Sequence, residues 1–150
     1  MGAPQILVLS GPNLDRLGTR EPDVYGTTTL AEIHAALAAA ARARGASVVC
    51  RQSNHEGALI DWIGAAAGDG FAGILINPGA YTHTSIALLD AVKGAGLPAV
   101  EVHLSNPAAR EPYRRRSYVA RACVGTIAGF GPRSYTLALE GLLDRLTAAV

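Results

Sequence analysis

Short β-rich runs alternate with helical patterns along the whole chain, and that alternation admits few folds other than a parallel sheet covered by helices. The β-type runs occupy residues 5–9, 46–50, 73–76, 98–102 and 123–127. Helical patterns fill the intervals at 28–44, 57–67 and 84–93, with a short one at 108–116 and a last one at 133–148. Gly45 and Gly94 follow helical stretches, the usual place of a C-terminal glycine. Pro98 opens a strand, where proline is tolerated. No repeat, low-complexity linker or compositional boundary interrupts the pattern. Residues 1–150 are therefore expected to be a single domain, the number of cores that such a length accommodates.

Five β-α units of this size fit a flavodoxin-like three-layer α/β sandwich, its five-stranded parallel sheet ordered 2-1-3-4-5. Composition removes other classes. A hydrophobic fraction of 49% and a mean hydropathy of +0.22 exclude disorder. A net charge of +1 gives no broad electrostatic footprint, so neither nucleic acid nor an anionic membrane is an expected partner. No apolar run reaches the ~18 residues of a membrane span. The start, MGAPQILVLSGPN, has no charged n-region and no cleavage site, so it is not expected to be a signal peptide. Cys50 and Cys123 fall in apolar β-like runs and read as buried thiols in a reducing compartment, hence a cytoplasmic location. Charged residues make up 17%, against roughly 25% in ordinary globular chains. Surface hidden between copies of the chain, or alanine-rich helix surfaces, would each produce that deficit.

In an open α/β sheet, ligands bind at the carboxyl ends of the strands. The polar clusters follow that edge: SGPN after the first strand, RQSNHEG after the second, NPGAYTHTS after the third and EVHLSN at the fourth. Asn13, Asn54, His55, Asn77, His83, His103 and Ser105 are thus expected to rim one crevice. The connection after the first strand, about twenty residues long, exceeds the usual two to six and has the length of a lid or binding loop. It carries Asn13, Arg16, Arg20, Glu21 and Tyr25, with Gly11, Gly18 and Gly26 as bending points.

Two pairs can carry proton chemistry. Glu101 and His103 are two apart on a strand and share a face. A carboxylate there fixes the imidazole's tautomer and favours its charged form, as a general acid or base requires. The same spacing equally serves a satisfied ion pair at a strand end. Tyr25 and Arg20 form the second pair: a phenol ionises near pH 10, so it becomes a base at neutral pH only beside a cation. A tyrosine packing the loop and a solvated arginine account for these two residues just as simply. His55, His83 and His103 lack any metal-binding spacing, and no metal site is expected. His34, inside a helical pattern, reads as structural, and the Arg114–Arg116 run as surface with one anion contact. The only lysine, Lys93, lies in a helical pattern away from every strand end, a poor place for a Schiff base.

The segments ILVLSGPNLDRLGTREPDVYG, QSNHEGALIDWI, INPGAYTHTSIALLDA and VEVHLSNPAAREPYRRRSY closely resemble the signatures of type II 3-dehydroquinate dehydratases, in register from about Ile6 to Leu142. The resemblance implies a flavodoxin-like fold, no metal or cofactor, and a dodecamer built as a tetramer of trimers. It also implies a reaction of the shikimate pathway or of quinate breakdown: reversible anti dehydration of 3-dehydroquinate to 3-dehydroshikimate through an enol or enolate. Carried over motif by motif, Tyr25 in REPDVYG is the base and Arg20 favours its phenolate. Asn13 in GPN holds a water that polarises the ketone. His103 in EVHLSN protonates the departing hydroxyl, oriented by Glu101. Asn77, Ser105 and the backbone of Leu104 receive the carboxylate. His83, Arg114 and a neighbouring subunit's Asp90 grip the ring hydroxyls. Ser10, Leu89, Pro107, Ala108 and Pro112 depart from the usual residues, and none removes a catalytic group. The alternative from a different class is a non-catalytic module that binds small carboxylates in the same crevice.

Overall fold

The interior strands are continuous apolar runs because a parallel sheet is covered on both faces. In the computed structural model, which describes residues 2–19 and 21–148 apart from the side chains of Val24 and Tyr25, β1 (Gln5–Ser10), β3 (Gly73–Asn77) and β4 (Ala99–His103) lie at the centre. The less buried edges are β2 (Ser47–Gln52) and β5 (Gly125–Ala128). All pairings are parallel, in the order β2-β1-β3-β4-β5. That is the order expected from the β-α alternation.

Side-chain alternation along each strand feeds two apolar layers. Ile6, Val8, Leu75, Val100 and Val102 face α2 (Leu30–Ala43) and α5 (Arg133–Thr147). Leu7, Leu9, Ile74, Ile76 and Ala99 face α3 (Glu56–Ala65) and α4 (Ile86–Ala95). The long helices begin on local signals: Thr29 accepts the Glu32 amide N–H, and Ser85 accepts that of Leu88. Among the described residues no helix is long and apolar enough to cross a membrane.

Several local expectations need correction. Gly94 lies inside α4, and Gly96 at φ 67° is the residue that ends it. The helix expected at 108–116 is instead two 3-10 turns, Pro107–Ala109 and Pro112–Arg114. Each proline opens a turn, and Pro112 cannot continue a helix from the first. The fifth strand starts at Gly125, so Cys123 follows a 3-10 turn (Val119–Ala122) rather than sitting in the sheet. Both cysteines are only half-buried, yet burial still raises their thiols, Cys50 to about 11 and Cys123 to about 12. The long connection after β1 holds a 3-10 turn (Leu14–Arg16) and a short helix, α1 (Pro22–Tyr25).

Candidate active site

Two loops at the carboxyl edge interlock without room for a side chain between them. The Gly11 N–H donates to the Asn77 carbonyl at 2.8 Å, and a Cβ on Gly11 would meet the Pro78 carbonyl oxygen at 2.6 Å. Gly79, at φ 59°, lies less tightly against Pro12, where a Cβ would sit 3.2 Å from its carbonyl oxygen. Asn13 follows in the left-handed region at φ 68°, a conformation that asparagine tolerates better than most residues. Its N–H donates to Asn54 Oδ1 at 2.9 Å, and Gln52 Nε2 donates to the same oxygen and to the Gly11 carbonyl, each at 3.1 Å. The end of β2 therefore props Asn13 from behind.

Register builds the next layer. Ser10 and Asn77 are direct partners in the β1–β3 ladder, and both point to the α5 side. There they meet Tyr135, fully buried in the first turn of α5. The Gly79 N–H donates to Asn77 Oδ1 at 3.1 Å, which leaves Nδ2 to donate to the Tyr135 hydroxyl at 3.1 Å. Tyr135 and Ser10 are also bonded, 2.9 Å apart. Burial raises the Tyr135 phenol to about 12, so it remains a neutral hydrogen-bonding group.

Glu101 and His103 project from β4 to the opposite face. Glu101 is 2% exposed, and its Oε2 lies 2.8 Å from His103 Nε2. That contact assigns Nε2 to the carboxylate and leaves Nδ1 as the ring nitrogen available to the cleft. Glu101 Oε1 accepts the Ser117 hydroxyl at 2.7 Å.

The cleft is lined by Pro12, Asn13, Leu14, Asn77, Gly79, Ala80, His83, His103, Leu104, Ser105, Pro107, Arg110 and Arg114. His83 Nδ1 lies 2.7 Å from the Arg116 carbonyl. A carbonyl only accepts, so Nδ1 carries a proton, and Nε2 is the nitrogen left for the cleft. Arg110 donates to Ser105 Oγ at 3.3 Å. Glu111 binds Arg114 Nε, which holds that carboxyl below its usual range and the guanidinium firmly charged. The Tyr113 ring stacks on the same guanidinium at 5.2 Å.

Asn13, Asn77, His83, His103, Leu104, Ser105 and Arg114 thus share one cleft, with Glu101 directly behind His103. Asn54 and His55, expected at its rim, are not part of the lining: Asn54 is occupied with Asn13, and His55 caps α3 as an exposed residue. Asp90 is exposed on α4 and does not reach this cleft. Arg20 and the Tyr25 side chain lie outside the described residues. Sequence reading missed Arg110, Tyr135 and Ser117. Arg110 stands in a polar stretch after the fourth strand, which was the available signal, whereas Tyr135 and Ser117 reach the site only through tertiary contacts. Among the described residues no three His, Cys, Asp or Glu side chains gather as metal ligands do.

A family model described as dehydroquinase class II matches residues 4–143. The 3-dehydroquinate dehydratase 1 of Ralstonia nicotianae is 57% identical over 143 residues, covering 95% of this chain and 92% of that protein. The 3-dehydroquinate dehydratase of Xanthomonas oryzae pv. oryzae is 59% identical over 141 residues, covering 94% and 95% respectively. Among solved structures, a type II dehydroquinase from Butyrivibrio crossotus superposes with a TM-score of 0.91 at 41% identity, covering 94% of this chain and 98% of that one. A type II dehydroquinase from Propionibacterium acnes gives 0.90 at 46% identity, covering 95% and 98%.

Proposed function

The chain belongs to the class II dehydroquinase family, and from that premise we infer that it dehydrates 3-dehydroquinate to 3-dehydroshikimate, a step of the shikimate pathway. The observation that carries the reading is the buried Glu101–His103 pair, set in a cleft that also gathers amide, imidazole and guanidinium groups around a small polar volume. In a module that merely binds carboxylates the same pair would be a satisfied ion pair only, and the relatives named above are dehydratases.

In this reading the Tyr25 phenolate removes the proton beside the ketone, and Arg20 stabilises that phenolate. The C–H electron pair passes to the ketone oxygen, where a water held by Asn13 meets the developing charge. When the enolate collapses, the C–O bond breaks and His103 delivers a proton to the departing oxygen, which leaves as water. The left-handed Asn13, its amide N–H fixed by Asn54, is preorganised for this role. Asn77, clamped by Gly79 and Tyr135, and Ser105, bonded to Arg110, form the carboxylate end with the backbone of Leu104. His83 accepts a ring hydroxyl at Nε2, and Arg114 faces the same ring.

Asp90 belongs in this reading to the cleft of a neighbouring copy, within a dodecamer of four trimers in the cytoplasm. Its support is local: Ile86, 56% exposed, stands one helical turn before Asp90 on the same face of α4. An apolar side chain beside the carboxylate suits a surface that another subunit covers. Sedimentation of the purified chain tests the assembly. The activity is tested by adding 3-dehydroquinate and following absorbance of the conjugated enone, with EDTA and borohydride controls. Absence of any enone signal would overturn the reading.

A further inference from the structure

We propose that Ser117 is a positioning residue for proton delivery, holding the Glu101 carboxylate aimed at His103. The Ser117 oxygen lies between two groups. It accepts the Ala120 N–H at 2.9 Å, as a cap of the following 3-10 turn, and it stands 2.7 Å from Glu101 Oε1. An oxygen already accepting from an amide still has its own proton to give, and the carboxylate takes it. Glu101 Oε2 is engaged by His103, so both oxygens of this buried group are satisfied, each by one donor.

No guanidinium or ammonium reaches Glu101 among the described residues. Arg116, next to Ser117 in the chain, donates instead to the Tyr118 hydroxyl at 3.0 Å. In the sheet, Glu101 pairs with Ile76 on one side and Thr126 on the other, and neither titrates. The Cys123 thiol is a further titratable neighbour, and it stays protonated because burial and the Glu101 charge both raise it. The serine hydroxyl is therefore the dipole that compensates a buried charge not fully met by His103. Ser117 is absent from the cleft lining, so it acts through Glu101 rather than on substrate.

This inference rests on the dehydration reading, and the two fail differently. An inactive wild-type chain would defeat the reading itself, whereas an active wild type with an indifferent Ser117 would defeat only the positioning role. The test measures kcat and KM across pH for Ser117→Ala and for Ser117→Cys, which keeps the shape but donates weakly. Ser117→Ala is expected to lower kcat about tenfold with KM changed by less than about twofold. Without the hydroxyl dipole the Glu101–His103 pair binds protons more tightly. The limb of the kcat profile set by that pair should therefore move to higher pH by about half a unit. Ser117→Cys should move it the same way by less, and it carries the test if Ser117→Ala does not fold. In a Glu101→Gln background, Ser117→Ala should cost almost nothing more. An unmoved limb in the folded variants, or a full additional loss in the Glu101→Gln background, would reduce Ser117 to a turn cap and overturn the proposal.

Discussion

In the proposed mechanism Tyr25 and His103 act at different steps, which makes their variants distinguishable. Tyr25→Phe should abolish both exchange of the proton beside the ketone and elimination, lowering kcat by several orders of magnitude with substrate binding retained. His103→Ala should lose elimination while exchange of that proton survives, because its proton is needed only in the later step. Deuterium exchange followed by NMR against enone formation separates the two, and equal loss of both in His103→Ala would make His103 a binding residue. Tyr135→Phe belongs to the same scale. It strands Asn77 Nδ2 and Ser10 Oγ below the cleft, at an expected cost of about 1–3 kcal/mol in urea denaturation, together with a raised KM. An unchanged denaturation midpoint would mean that water or rotation replaces the phenol. Glu101 and His103 were legible because strand spacing alone puts them on one face. Tyr135 was not, since the first turn of an amphipathic helix gives an aromatic residue the appearance of ordinary core.

At the scale of elements, the site depends on two loops touching backbone to backbone. Gly11→Ala places a methyl group where the Pro78 carbonyl stands, and neither loop can yield without moving Asn13 or Asn77. The expected cost is about 2–3 kcal/mol, with KM raised more than kcat is lowered. Gly57→Ala, in the first turn of α3 with nothing within 4 Å, serves as the comparison that should hold or raise the melting temperature. Equal melting temperatures for the two variants would show that the loops have slack. Strand order and helix placement were legible from periodicity, because a parallel sheet buried on both faces writes its strands as apolar runs. The stretch from Pro107 to Arg114 was misread because its composition is helical while its two prolines forbid a continuous helix. Asp90 is exposed and away from its own cleft, so the role proposed for it cannot be read from one chain's periodicity.

Over the whole molecule, three weak acids whose protons are retained by burial contribute to how the fold responds to alkali. Cys50 at about 11, Cys123 at about 12 and Tyr135 at about 12 all hold their protons longer in the folded chain, burial being the first cause in each. Their ordinary values are 9.0 for the thiols and 10.0 for the phenol. The unfolded chain therefore loses these protons first. The stability they contribute is complete below about pH 9 and is lost as the pH rises through the folded values. Urea midpoints should fall between pH 9 and 11, and Cys50→Ala should flatten that slope whatever it does to the midpoint at pH 7. A slope unchanged by the substitution would assign alkaline loss to other groups.

The hydrogen bond between Ser10 and Tyr135 spans 125 positions, from the first strand to the last helix. Synthesis proceeds from the N-terminus, so a ribosome-bound chain can pair β1 with β3 while the underside of Asn77 is still open to water. Closing that gap requires a contact of very long sequence separation, the kind that forms slowly. On the proposed role of Asn77, catalytic competence is thus deferred until α5 has left the ribosome and docked. A partly made chain has a sheet to fold on but no finished place for a substrate to rest.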